Sequence, residues 1–112
     1  MAGADVDSTG KERRTAPRAK VNLPARWEGV SSQQHATVTN LSVNGCFILS
    51  GGSVEARELI RLEITLPKED YIFPWAEVVE AAGEIGFAVR FTMMDDGDLE
   101  RLNRFITQTL EN

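Results

Sequence analysis

Between Leu59 and Leu66 apolar and polar side chains alternate without interruption, with Ile60, Leu62, Ile64 and Leu66 on one side and Arg61, Glu63 and Thr65 on the other. A period of two places successive side chains on opposite faces of a strand, so this segment predicts a strand with one buried and one wet face. Val21, Leu23, Ala25 and Trp27 alternate in the same way with Asn22, Pro24, Arg26 and Glu28. Pro24 donates nothing to a ladder, which favours an edge or a bulge there. Gly29 to Gln34 reads as a turn, His35 to Leu41 as a short second strand, and Cys46-Phe-Ile-Leu49 as a third, closed by Gly51-Gly52 as a hairpin. Pro67 to Asp70 turns again, and Tyr71 to Ala81 makes a long strand that Pro74 bends. Ala82-Gly83 then forms a hairpin into Glu84 to Thr92, where Ile85, Phe87, Val89 and Phe91 face the core and Gly86, Ala88 and Arg90 face out.

The period changes in the last segment. Leu99, Leu102, Phe105, Ile106 and Leu110 fall at helical spacing, Asp95 suits an N-cap, and Met94 is placed to staple against Leu99. Asp96 and Asp98 occupy the first turn, where the helix dipole favours negative charge. Strands this crowded, with no helix between them, predict an antiparallel sheet that closes on itself. The fold class is therefore mainly β: a six-stranded antiparallel barrel with a C-terminal α-helix.

Composition narrows the function classes. The 112 residues suffice for one domain with one core. Residues 1 to 12 are small, polar and acidic without periodicity and read as a disordered leader, so the ordered domain spans 13 to 112. No apolar run approaches the ~18 residues of a membrane helix, and the N-terminus lacks the pattern of a signal peptide, which predicts a cytoplasmic protein with no membrane insertion. The single cysteine, Cys46, has no intramolecular disulfide partner. Net charge is −5, yet residues 11 to 26 hold Lys11, Arg13, Arg14, Arg18, Lys20 and Arg26 against Glu12 alone, so that segment carries +5 and the rest −10. A local basic segment on an acidic body suits a small anionic ligand, whereas general nucleic-acid binding needs basic character across a whole face. A solvated basic tail would have the same composition.

Two short strings supply the candidate chemistry. Arg14-Thr-Ala-Pro-Arg18 offers two guanidinium groups on a segment that Pro17 keeps extended at Ala16. Asn40-Leu-Ser-Val-Asn-Gly45 is a small polar turn ending in glycine, which permits a positive φ or a close backbone approach. Arginine donates bidentately to the O6 and N7 edge of guanine and also pairs with phosphate or stacks on a base. With nine arginines, R-x-x-x-R is expected about 0.7 times by chance, and Arg57 to Arg61 is a second match. The pattern [DN]-x-S-x-x-G is expected only about 0.05 times. In this order and separation the two strings resemble the PilZ family of bacterial cyclic di-GMP receptors, over roughly residues 11 to 110.

The resemblance implies a six-stranded barrel followed by a helix. It further implies that Arg14 and Arg18 grip guanine and phosphate, with Arg13 as a third contact or a holder of a second, stacked dinucleotide. Asn40, Ser42 and Gly45 would then complete the cyclic di-GMP site, Asn40 and Ser42 facing the ligand together from a strand end. Ligand binding is expected to order the Arg13 to Lys20 segment and so signal to a downstream protein partner, with no cofactor, no metal and no catalysis. Two alternatives remain at this point: a PilZ-like interaction module that binds no nucleotide, and a small-barrel binder of RNA or single-stranded DNA, although residues 11 to 20 contain none of the aromatics that such binding interleaves with basic groups. Cys46 reads as a small buried hydrophobe, His35 with Cys46 as a poor catalytic pair, and Trp27 and Trp75 as packing residues.

Overall fold

The computed structural model describes residues 16–30, 33–81 and 85–111. Seven strands precede one helix: β1 (Leu23–Glu28), β2 (Gln33–Thr39), β3 (Gly45–Leu49), β4 (Leu59–Leu66), β5 (Asp70–Ile72), β6 (Trp75–Ala81), β7 (Gly86–Met93) and α1 (Asp96–Glu111). The strands run antiparallel in the order β1-β2-β3-β7-β6-β4, and β1 pairs again with β4, which closes the six into a barrel. The three-residue β5 is an addition to that ring, paired with the C-terminal half of β4.

The alternation in the sequence is realised as burial. Leu23, Ala25 and Trp27 of β1 and Ile60, Leu62, Ile64 and Leu66 of β4 point inward, each β-strand thereby contributing one apolar face to a shared core. Trp27 fills the interior edge-on to Phe87, with ring centroids 5.3 Å apart at 85°, and its indole N–H donates to Ser50 Oγ at 2.9 Å. Burying that indole without a partner would leave a polar N–H unsatisfied, so Ser50 completes the placement.

Four local expectations are corrected by non-local pairing. Gly51-Gly52 makes no hairpin, because β3 pairs with β2 and β7 and the chain crosses from Leu49 to Leu59 before β4 begins. The expected strand Tyr71 to Ala81 is broken rather than bent: buried Pro74 separates β5 from β6, and both lie along the same edge of β4, joined across the gap by the Leu62 N–H donating to the Pro74 carbonyl at 2.9 Å. Ile85 keeps the expected parity but is 67% exposed, since it lies beyond the last β3–β7 pair, Leu49 with Gly86, where the barrel has ended. Trp75 is 40% exposed and packs under the Arg61 guanidinium, 5.1 Å from its ring centroid, so only Trp27 is a core residue. The Ala82-Gly83 turn and the leader lie outside the described residues, as do Arg13 and Arg14.

The helix seats as its sequence predicts. Asp95 caps it, Oδ1 accepting from the Asp98 N–H at 3.0 Å, and Leu102 and Ile106 are buried in the core. Met94 packs on that core while Leu99 stays 38% exposed. Asp98 is buried in the first turn, and its carboxylate accepts from the Phe73 N–H and from Arg101 Nη1, both at 2.8 Å. The helix is thereby fixed to the β5–β6 break. No helix among the described residues is long and apolar enough to cross a membrane.

Candidate functional site

The described end of the first string, Ala16 to Arg18, lies against the second string. Ala19, fully buried, forms an isolated antiparallel bridge with Leu41, its N–H donating to the Leu41 carbonyl at 2.8 Å and its carbonyl accepting from the Leu41 N–H at 2.9 Å. That pair sets the N-terminal segment beside the Asn40 to Gly45 turn. One residue earlier, Arg18 Nη1 donates to the Asn40 carbonyl at 3.2 Å, so an arginine of the first string rests on the first residue of the second.

The turn is built differently from a strand end. Asn40 leaves β2 with φ at 51°, a left-handed conformation that asparagine tolerates better than other side chains. Gly45 contributes the close approach: a Cβ there would lie 2.1 Å from the Val89 carbonyl oxygen, so only glycine lets β3 lie against β7 at this point. Ser42 is 1% exposed, and its Oγ accepts from the Asn44 N–H at 3.0 Å while its own N–H donates to the Gly45 carbonyl at 2.9 Å. The Phe91 N–H donates to the Asn44 carbonyl at 2.8 Å, attaching the turn to β7. Ser42 is thus the residue that shapes the turn, and Asn40 and Asn44, both exposed, present their polar side chains at its rim.

These residues line an open groove of about 800 Å³, within the range of small-molecule sites. Arg18, Asn40, Ser42, Asn44 and Gly45 form one wall, and Phe47 of β3, Val79 of β6, and Ala88, Arg90 and Phe91 of β7 form the floor and far side. Among the described residues two guanidinium groups and no carboxylate line it, on a chain of net charge −5. Low-polarity surface beside concentrated positive charge favours a flat, anionic ligand. Cys46 also borders the groove but is buried, and burial pushes its thiol up to about 12 against the lowering effect of Arg18, so it is no thiolate nucleophile near neutral pH. Among the described residues no cluster of three His, Cys, Asp or Glu side chains could hold a metal ion.

The rival R-x-x-x-R match disperses. Arg57 is exposed 4.0 Å from Glu77, and Arg61 covers Trp75; neither lines the groove. Sequence reading missed Phe47, Val79 and Arg90. The outward parity of Arg90 was visible, but which strand lies beside it is decided by the β3–β7 and β6–β7 pairings, to which no local pattern points.

A family model described as the PilZ domain matches residues 12–108. Among solved structures, the chain superposes on the Bacillus subtilis inhibitor of motility (MotI/DgrA) with a TM-score of 0.75 and 22% identity, covering 89% of this chain and 52% of that one. The chain thus spans about half the length of that protein. It superposes on the PilZ domain with c-di-GMP of YcgR from Escherichia coli with a TM-score of 0.73 and 13% identity, covering 88% and 92% of the two chains. The PilZ domain of CeSA from a cellulose-synthesizing bacterium gives a TM-score of 0.67 and 14% identity, with 85% and 98% covered. No curated protein matches the chain in sequence. At these identities the structural likeness carries the fold.

Proposed function

Because the chain belongs to the PilZ domain family, we propose that its groove is a receptor site for cyclic di-GMP and that occupancy is relayed in the cytoplasm to a protein partner. The observation that carries this reading is the contact of Arg18 with the Asn40 carbonyl, which brings the second arginine of the first string to the turn, at a groove lined among the described residues by guanidinium groups and no carboxylate. The YcgR domain whose fold this chain shares was solved with c-di-GMP, which supports the same ligand here. In this reading Arg18 and Arg14 hold guanine and phosphate, Arg13 adds a third basic contact, the Asn40 amide meets a guanine edge, and Ser42 and Gly45 keep the turn in shape.

Selectivity follows from the fork of donors. Guanine presents two acceptors, O6 and N7, where adenine places a donor in the O6 position, so cyclic di-AMP should bind far more weakly than cyclic di-GMP. Isothermal titration of the full chain with cyclic di-GMP, cyclic di-AMP and GMP tests this. No heat with cyclic di-GMP would leave an interaction module without nucleotide as the function, and equal affinity for cyclic di-AMP would remove guanine reading.

The relay is the docking of the basic segment. A dianion cancels the repulsion among Arg13, Arg14, Arg18 and Lys20 and draws them to the turn, shifting the population towards one arrangement that a partner can read. Trypsin should therefore cut within this segment more slowly when the ligand is saturating. Equal cutting rates, with binding confirmed separately, would show that the signal leaves by another route.

A further inference from the structure

Arg90 belongs to neither string, yet it lines the same groove as Arg18 and the Asn40 to Gly45 turn. It points outward from β7 with Gly45 as its direct partner in the β3–β7 ladder. Since Gly45 carries no side chain, nothing from β3 covers the guanidinium at that position. On its other side Arg90 pairs in register with Glu77 of β6, and Nη2 donates to the Glu77 carboxylate. The carboxylate takes one edge of the guanidinium and leaves its other N–H donors directed at solvent, the side chain being 62% exposed.

Beside this arginine the groove floor is apolar. Phe47 and Ala88 are cross-strand partners, and Val79 is the residue added where β6 bulges between its pairings at Val78 and Glu80. A base finds its surface on that floor, and an anionic linkage attached to the base comes to the polar rim, between Arg90 and the turn. We infer that Arg90 is a further guanidinium of the site, supplied by the sheet, and that it clamps a ligand phosphate against the Gly45 turn in addition to the arginines of the N-terminal segment. This inference rests on the cyclic di-GMP reading and adds a fixed contact from the sheet to the contacts supplied by the segment. Arg90 is anchored on a paired strand and held by Glu77, so it is in place before ligand arrives.

The test is isothermal titration of the full chain with cyclic di-GMP, comparing the parent with Arg90→Ala, Arg90→Gln, Arg90→Lys and the control Arg61→Ala, at low and high salt. Loss of a charge-assisted bond predicts about a tenfold drop for Arg90→Ala and Arg90→Gln, with weaker salt dependence than the parent. Arg90→Lys keeps the charge that a phosphate needs and should stay within about threefold of the parent. Melting temperatures accompany each titration; should Arg90→Ala fail to fold, Arg90→Gln, which keeps the side-chain stem on the strand, decides. A parent that binds while Arg90→Gln binds equally well overturns the clamp alone. A parent that does not bind overturns the receptor reading beneath it. Arg90→Lys as weak as Arg90→Gln overturns the assignment to phosphate, because a charge without a planar fork would then be worthless at this position.

Discussion

Replacing Arg18 with alanine should lower the affinity for cyclic di-GMP by more than tenfold and leave the melting temperature of the free protein unchanged. The first half follows from charge-assisted hydrogen bonds, each of roughly 1.5 to 3 kcal/mol, where about 1.4 kcal/mol is a factor of ten. The second follows from its surroundings: Arg18 is exposed, and its contact with the Asn40 carbonyl is a single hydrogen bond at the surface. The Ala19–Leu41 bridge that sets the segment beside the turn is untouched by the substitution, so the loss is that of the guanidinium itself. Arg14→Ala should cost a similar amount. Arg61→Ala, which removes the same charge from the other R-x-x-x-R match, should bind like the parent. Titrations in which Arg14→Ala and Arg18→Ala both match the parent would show that the first string is a solvated tail.

Asp98→Ala should be the most damaging of the polar substitutions to the fold itself. Asp98 is 6% exposed and ties the first turn of α1 to the β5–β6 break: it accepts the Phe73 N–H there and pairs with Arg101 on the next turn of the helix. Without it the Phe73 N–H has lost its acceptor at a place where Pro74 has no N–H of its own, and the favourable charge at the helix N-terminus is gone. A hydrogen bond to a buried charged group places the loss at about 2 to 3 kcal/mol, or roughly 10 to 20 °C in melting temperature for a domain of this size. Asp98→Asn, which keeps an acceptor oxygen, should recover part of it. Arg101→Ala should cost less, since that arginine is half exposed and water takes over its solvation. Thermal melts followed by circular dichroism measure all three, and an Asp98→Ala midpoint within about 2 °C of the parent would refute the account.

What the chain reveals before folding is what repeats locally. The alternation of Leu59 to Leu66 and of Leu23 to Trp27 fixes which face is buried, and helical spacing with an Asp95 cap fixes α1; the structure keeps all three. Partner choice is different, because it depends on residues far apart in sequence. Gly51-Gly52 carries a strong turn signal, yet β3 finds β7, whose residues lie some forty positions later, and closure of the ring outweighs the local preference. The same reason divides the site. Arg18, Asn40, Ser42 and Gly45 could be found as strings, whereas Arg90, Phe47 and Val79 enter the groove only through the β3–β7 and β6–β7 ladders. Within the turn, the positive φ falls on Asn40 and the close approach on Gly45, a division of labour that spacing alone did not resolve.

Closure of the six-stranded ring also bears on how the protein behaves when crowded. Unpaired strand edges are templates for a second chain, and in a ring in which β1 returns to β4 each of the six members has a partner strand on both sides. The exception is β5, whose pairing is with β4 alone, and it is kept to three residues with the next N–H, that of Phe73, occupied by the Asp98 carboxylate. The helix therefore acts as a guard on this edge, where a neighbouring molecule could add a strand. Exposed aromatic surface lies beside that edge, with Tyr71 and Phe73 stacked 6.4 Å apart, so lifting the helix would free the Phe73 N–H next to sticky rings that are already exposed. A chain that loses this helix would be prone to self-association as well as to unfolding, and the acidic first turn of α1 protects solubility as much as it protects the fold.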